Sequence, residues 1–194
     1  MFPQSEDVRP AVVAESSEYS AEERATLLRL AHRSIESALQ GLELDLTPPA
    51  DHLAEYRGAF TTLHLDGKLR GCIGYVFPKQ SLYGTVAETA RAAAFDDLRF
   101  RPVEMEEAPR LKVEISVLSP LRPAVAEDVV VGKHGLVVRH GNRRGLLLPQ
   151  VPVEWDWDRE TFLAQTCLKA GLPSDAWLRG AELQVFTAEV FGEE

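Results

Sequence analysis

The spacing of apolar residues divides the chain into helical and extended segments. Helical spacing predicts one helix that begins near Ser20 and ends at Gly41, a second over residues 81–95, and a third over residues 158–170. Ser20 and Glu23 form an S-x-x-E capping box, whose side chains satisfy the backbone N–H groups left free at a helix start. The three helices are therefore separated by long stretches with a different pattern.

Between the helices, apolar and polar residues alternate as they do in strands. Residues 58–76 indicate a β-hairpin, because Asp66-Gly67 is typical of a two-residue type I′ turn. Residues 111–118 alternate as a half-buried strand does. The remaining predicted strands cover residues 129–131, 136–139, 145–148 and 182–191, with a turn at 140–143.

Helices at both ends of a run of hairpins favour an α+β fold over regular βαβ winding. We therefore expect mixed, mainly antiparallel sheets packed with helices. The length of 194 residues suits one large domain or two intimately joined subdomains. Polar and acidic residues dominate the N-terminus, so we expect a tail over residues 1–18 and a single domain over residues 19–194.

The net charge and the number of cysteines argue against several classes of function. The formal net charge of −9 argues against bulk nucleic-acid binding, which calls for a basic surface. Two cysteines, Cys72 and Cys167, form neither a disulfide framework nor a zinc-binding spacing, and we expect no bond between them. No apolar run is long enough to span a membrane. These observations predict a cytoplasmic protein with reduced thiols and no metal site.

One segment departs from the acidic character of the chain. Residues 132–144 contain four Lys or Arg residues and no acid. Lys133, His134 and Arg144 in this segment are candidate ligands for a phosphate or carboxylate, assisted by backbone N–H groups at nearby glycines. The alternative interpretation is a solvated hairpin rim, because exposed turns are commonly charged.

The second candidate site is the segment Leu69-Arg70-Gly71-Cys72-Ile73-Gly74. A ligand would reach Cys72 readily between two small neighbours, and the Arg70 guanidinium would favour the reactive thiolate. Gly71 and Gly74 predict a bulge or a close backbone approach that excludes a Cβ atom. The alternative is a small buried cysteine in a bulged strand. Glu114 is a candidate general acid or base, provided that it lies near a basic partner.

Several segments together resemble the AMMECR family. The resemblance rests on five blocks in the family's order, residues 69–74, 114–119, 132–136, 147–151 and 167–172, and it covers roughly residues 20–190. It implies an α+β domain in two subdomains, with the segment around Cys72 in or beside a cleft. It also implies a modification pathway shared with Memo-like and radical SAM proteins. It leaves the cofactor unknown, but two cysteines cannot ligate an iron–sulfur cluster.

Two function classes stay open at this point. The first is an enzyme, or the substrate-handling subunit of one, that acts on an anionic small molecule or a nucleic-acid component. Its catalytic residues would be Cys72 and Glu114, and its ligand-binding residues would be Arg70, Gly71, Gly74, Lys133, His134 and Arg144. The second is a non-catalytic module that docks a partner through the positively charged segment 132–144, which we call the basic hairpin. An RNA-binding accessory domain is disfavoured by the low pI of about 5.1.

Overall fold

The computed structural model describes residues 17–193. Residues 1–16, and with them most of the predicted tail, lie outside the described residues, as does Glu194. No helix in the described part is long and apolar enough to cross a membrane. The helices are α1 (Ala21–Gln40), α2 (Asp51–Ala54), α3 (Leu82–Phe95), α4 (Val151–Glu154) and α5 (Arg159–Lys169). The strands are β1 (Ala59–Leu65), β2 (Lys68–Tyr75), β3 (Leu111–Leu118), β4 (Arg122–Ala124), β5 (Gly135–His140), β6 (Arg143–Leu147), β7 (Glu182–Phe186) and β8 (Ala188–Gly192).

The strands form two four-stranded sheets. The first has the order β2-β1-β3-β8 and the second the order β4-β7-β5-β6. Every strand pair in both sheets is antiparallel. The predicted α+β class with mainly antiparallel sheets is therefore confirmed.

Helices α1 and α3 cover one face of the first sheet. The predicted capping box is present, because Ser20 accepts a hydrogen bond from the Glu23 backbone and the Glu23 carboxylate accepts one from Ser20. Helix α3 is rich in buried alanines, which let it lie close to the sheet and to α1. Ser34 of α1 donates to the Ala87 carbonyl oxygen at 2.7 Å. Neither α1 nor α3 covers the opposite face of this sheet.

Helix α5 covers the second sheet and fills a separate core. Phe162, Leu163 and Cys167 on its inner face are fully buried. A third apolar cluster, centred on Leu118 of β3 and Phe186 of β7, packs between the two sheets. The two halves are therefore joined through a shared core.

The final predicted strand is in fact two strands that belong to different sheets. Strand β7 pairs with β5 in the second sheet, whereas β8 pairs with β3 in the first. The change occurs at Thr187, whose carbonyl oxygen and N–H both bond to Ser119 on the neighbouring connection. An unbroken apolar pattern cannot reveal such a change, because both strands bury alternate residues.

The predicted strand over residues 129–131 is wrong. Val129 is buried in the second core, but the backbone then turns, and the N–H groups of Lys133 and His134 both donate to the Val130 carbonyl oxygen. Val129 and Val131 pack against the second core and anchor a loop there. That loop carries Gly132 and Lys133 over the open face of the first sheet.

Candidate functional site

The open face of the first sheet forms the floor of a cavity. Strand register places Cys72 of β2 opposite Thr62 of β1, and Thr62 opposite Glu114 of β3. Thr62 therefore lies between the thiol and the carboxylate in one row across the sheet. The neighbouring row contains Phe60 and Ser116, because side chains on one face of a strand are two residues apart.

The roof of the cavity comes from the second half of the molecule. Two segments reach over the floor: the loop with Gly132 and Lys133, and the chain from Leu148 through Glu154 at the end of α4. The cavity is partly open to solvent and has a volume of about 640 Å³, within the range of small-molecule sites. Floor and roof come from opposite halves of the molecule, so the cavity exists only because the two sheets are packed together.

Cys72 is partly exposed on this floor and its surroundings are polar. The Thr62 hydroxyl donates to Cys72 Sγ at 3.3 Å. A negatively charged sulfur accepts such a bond more strongly than a neutral thiol does. The donated hydrogen bond therefore suits a thiolate at this position.

The backbone of Cys72 is held by two residues that the sequence analysis missed. Strand β2 lies at the edge of its sheet, and there the Cys72 N–H donates to Asp97 Oδ2 at 2.9 Å. Arg99 donates from Nη2 to the Cys72 carbonyl oxygen at 3.4 Å and binds the Asp97 carboxylate through Nε and Nη2. These hydrogen bonds, chiefly the side-chain bonds from Arg99, hold the pKa of Asp97 far below its usual range. The sequence signal for this pair is the Asp-x-Arg spacing just after a predicted helix. That spacing does not predict which strand edge the two side chains contact.

Arg70 does not reach the cavity. A β-bulge at this point pairs Leu63 with Gly71 and His64 with Leu69, which interrupts the regular alternation of side chains along β2. The Arg70 guanidinium is buried and binds both carboxylate oxygens of Glu107, at 3.1 and 3.0 Å. Hydrogen bonding from Arg70 lowers the pKa of Glu107. The guanidinium next to Cys72 thus belongs to Arg99, and Arg70 stabilises the loop that precedes β3.

The expectation that Gly71 or Gly74 excludes a Cβ atom is confirmed at both positions. A Cβ on Gly71 would lie 2.0 Å from the Ala93 carbonyl oxygen of α3, and one on Gly74 would lie 2.2 Å from the Phe60 ring. Gly71 therefore allows the close approach of α3, and Gly74 makes room for an aromatic side chain on the cavity floor. Protein packing accounts for both glycines, without any contact to a ligand.

Of the three basic-segment candidates, Lys133 alone is among the residues that line the cavity. His134 is buried, and its Nδ1 accepts a hydrogen bond from the Val130 N–H at 3.1 Å. Burial first, and then the positive charges of Arg122 and Lys133, lower the pKa of His134, so it is neutral at pH 7 and supplies no positive charge. Arg144 lies on strand β6 of the basic hairpin. Its guanidinium lies 3.6 Å from the centre of the Phe77 ring.

The cavity wall carries charges of both signs. Glu114 on the floor and Glu154 on the roof are carboxylates, and Lys133 contributes an ammonium group to the same lining. An anionic group on a ligand would therefore find one cation and two acids here. This balance suits a ligand with one polar end better than a multiply charged anion.

Three potential metal ligands come together elsewhere in the part of the chain that the structure describes. Glu18, His52 and Glu55 place one ligand atom each within 4.8 Å of one another. The buried guanidinium of Arg57 already binds both carboxylates. The cluster thus fits an internal ion-pair network, in which an arginine occupies the place that a cation would take.

Comparison with known proteins places these features in a family. The family model described as AMMECR1 matches residues 28–191. The chain belongs to the AMMECR1 family. Protein MK0488 of Methanopyrus kandleri is 45% identical over 188 residues, which is 89% of each chain. Protein NEQ441 of Nanoarchaeum equitans is 40% identical over 178 residues, covering 87% of this chain and 99% of that one.

A solved structure agrees with the fold. The crystal structure of uncharacterized protein PH0010 from Pyrococcus horikoshii matches with a TM-score of 0.72 at 44% identity, over 87% of this chain and 90% of that chain. In the AMMECR1-family fold seen here, four of the five blocks that carried the resemblance contribute to the cavity. The lining residues from those blocks are Cys72, Glu114, Ser116, Leu118, Gly132, Lys133, Leu148, Pro149 and Gln150. The fifth block, residues 167–172, packs in the second core.

Proposed function

We propose that this AMMECR1-family protein binds a small molecule in the cavity and acts as an enzyme, or as the substrate-binding subunit of one. One observation carries the proposal: a thiol and a carboxylate, Cys72 and Glu114, lie in one row of a sheet on the floor of a cavity of about 640 Å³. Cavities of this kind are the usual location of binding and catalytic sites.

In the proposed reaction, Cys72 is the nucleophile and Glu114 is the acid–base group. The sulfur bonds to the electrophilic carbon of a polarised double bond in the substrate. The electron pair of that double bond moves to its other atom, which takes up a proton from Glu114. Because Glu114 lies two strands from Cys72, solvent in the cavity carries the thiol proton to the Glu114 carboxylate and restores it. Thr62, which donates a hydrogen bond to Cys72 Sγ, stabilises the thiolate that attacks.

Lys133 supports the part of the proposal that concerns an anionic substrate or nucleic-acid component. Its ammonium group lines the cavity roof and would bind one phosphate or carboxylate. Family membership supports a modification pathway shared with a Memo-like protein and a radical SAM protein, and the two free thiols support a cytoplasmic location. Co-purification of those two proteins with a tagged form of this chain would test the pathway separately from the site.

The site itself is tested by untargeted capture of small molecules on the purified protein. Wild type, Cys72→Ala and Glu114→Gln are each incubated with a metabolite extract, separated by gel filtration and analysed by mass spectrometry. We expect a compound retained by wild type that both variants lose or leave unconverted. Arg144→Gln is the matched control, because Arg144 is a cation outside the cavity and its removal leaves the cavity wall intact. Retention that is lost in Arg144→Gln and kept in Cys72→Ala would overturn the proposal.

A second candidate function is the non-catalytic docking module, which one feature of the basic hairpin favours. Register places Arg139 directly opposite Arg144, and His140 opposite Arg143. Like charges in directly opposed positions destabilise a hairpin, and an anionic partner would relieve this repulsion beyond the pairing of Arg139 with Glu182 at 3.9 Å. When a cell lysate replaces the metabolite extract in the capture experiment, this function predicts a retained acidic macromolecule whose binding requires Arg139 and Arg144 and does not require Cys72.

A further inference from the structure

We infer that the ligand of the cavity is amphipathic, with a polar reactive end at Cys72 and an apolar body that extends along β1 and β3 toward Leu118. The inference rests on the proposed function and adds the class of substrate to it. It follows from how polarity changes along the cavity floor, which is a property of strand register.

Three successive rows of side chains cross the floor. The first row contains the polar residues Cys72, Thr62 and Glu114. The second mixes Phe60, Ser116 and Val190, and the third contains Leu118 and Ala188. The floor therefore changes from polar to apolar along the strand direction, over about 13 Å at the rise of antiparallel strands.

The roof adds apolar surface to this floor. Leu148, Pro149 and Val153 line the cavity from the second half of the molecule. Val153 on the roof and Val190 on the floor are 59% and 56% exposed, although both line the cavity. Apolar side chains that remain open to solvent on both walls of a cavity are typical of a surface that an apolar group covers.

The small number of charges on the cavity wall limits the polar part of the ligand. Lys133, Glu114 and Glu154 are the ionisable side chains on the cavity wall besides Cys72. A multiply charged molecule would have to bury charge against the apolar rows, which is costly. A single polar head with an apolar body avoids that cost and gains the hydrophobic effect along the apolar rows.

A series of N-alkyl maleimides tests the inference directly. A maleimide reacts by addition: the thiol sulfur bonds to one carbon of the ring double bond, and the other carbon takes up the proton. The rate at which Cys72 is modified is measured by mass spectrometry for the N-methyl, N-butyl and N-hexyl compounds, each divided by its rate with glutathione. We expect this ratio to rise at least tenfold from methyl to hexyl, since each fully buried methylene is worth about fourfold.

Two charged variants locate the apolar body. Val190→Glu and Val153→Glu change exposed side chains, so they leave the buried cores intact. Both should abolish the dependence on chain length while N-methylmaleimide reacts as with wild type. Val125→Glu is the matched control, because Val125 is also 59% exposed and lies outside the cavity, and it should keep the full dependence.

A non-covalent measurement keeps the inference separate from the proposed function. Calorimetric titration of the Cys72→Ser protein with N-methyl- and N-hexylsuccinimide, which cannot react with thiols, should show at least tenfold tighter binding of the hexyl compound. Equal binding of the two compounds, or a maleimide series without length dependence, would overturn the amphipathic ligand and leave the proposed function standing. A Cys72 that reacts with no maleimide faster than glutathione does would overturn the proposed nucleophile, and the succinimides alone would then decide the ligand class.

Discussion

The two cysteines of this chain lie in opposite environments. Cys72 lies on a sheet face that a cavity keeps open, with a hydroxyl donor at its sulfur. Cys167 is fully buried on the inner face of α5 in the second core. Both are free thiols, as the sequence analysis predicted. The surroundings that the fold builds, and not the residue type, separate a candidate nucleophile from a packing residue.

Each cysteine has a glycine nearby that permits close packing. Gly71 precedes Cys72 and allows the Ala93 carbonyl of α3 to approach β2. Gly145 of β6 does the same for α5, where the Ala170 backbone nitrogen and the Thr166 carbonyl oxygen would clash with a Cβ. In both places a glycine lets a helix approach a strand closely. Cys72 nevertheless lies on the sheet face that lines the cavity, whereas Cys167 is buried within a core. Burial raises the pKa of the Cys167 thiol.

The largest expected effect is the difference in reactivity between the two thiols. With iodoacetamide in slight excess at neutral pH, Cys72 should be alkylated at least about a thousandfold faster than Cys167, because Cys167 reacts only when its core opens. Peptide mass spectrometry after quenching measures both rates in one sample. Unfolding in guanidinium chloride is the control and should bring the rates together. Equal rates in the native protein would contradict the comparison.

Adding a methyl group at either packing glycine should cost about 3 kcal/mol in the free energy of unfolding, since neither backbone neighbour can move away cheaply. The variants are Gly71→Ala and Gly145→Ala, and urea unfolding followed by circular dichroism measures the loss. Gly180→Ala is the matched control: nothing lies within 4 Å of its added Cβ, although its φ is +88°. That control should lose only about 1 kcal/mol. Losses in Gly71→Ala and Gly145→Ala no larger than the loss in the control would contradict the role of close packing.

Asp97→Asn should destabilise the protein by about 2 kcal/mol at neutral pH, because the charged acceptor for Arg99 and the Cys72 N–H is lost. The folded-state pKa of Asp97 lies far below the ordinary value of 3.8, so its contribution is complete well above pH 3.8 and declines as the pH falls from there toward the folded-state pKa. Urea unfolding of both proteins from neutral pH down to about pH 3 should therefore show a difference that shrinks in acid. A constant difference over that range would rule out the carboxylate as its source.

The smallest expected effect concerns the hydroxyl beside the sulfur. Thr62→Val keeps the shape of the side chain and removes the donor, so the alkylation rate of Cys72 should fall about tenfold. Thr62→Ser retains the donor and should react as wild type does. The rate of Cys167 serves as the internal reference and should not change. An unchanged Cys72 rate in Thr62→Val would remove Thr62 from the proposed mechanism.

Local signals predicted the elements that carry the site. The Ser20 and Glu23 capping box and the Asp66-Gly67 turn are both present, and the two turn residues have φ values of 52° and 75°. Such features depend on neighbours within a few residues, so the sequence contains all that is needed to identify them. Cys72 and Glu114 were named from the chemistry of their side chains, and the structure places both on one cavity floor.

The failures share a physical cause. Arg70 and Cys72 are two residues apart and would share a strand face, but a bulge intervenes and Arg70 pairs with Glu107. His134 was grouped with Lys133 for its charge, yet burial makes it neutral. Asp97 and Arg99 lie 25 and 27 residues from Cys72 in the chain and hold its backbone. Pairings over such distances depend on which edges and loops meet.

The sequence by itself determined the three long helices, the hairpin, the α+β class and the family, because each rests on local periodicity or on ordered blocks of residues. Tertiary structure alone decided that the chain passes from one sheet to the other at Thr187, and that a loop with Lys133 lines the same cavity as the row formed by Cys72, Thr62 and Glu114. Register assembles that row from three strands, and the packing of the two sheets closes the cavity over it. Neither arrangement is encoded in any short stretch of residues, since each depends on the free energy of burying the whole core at once.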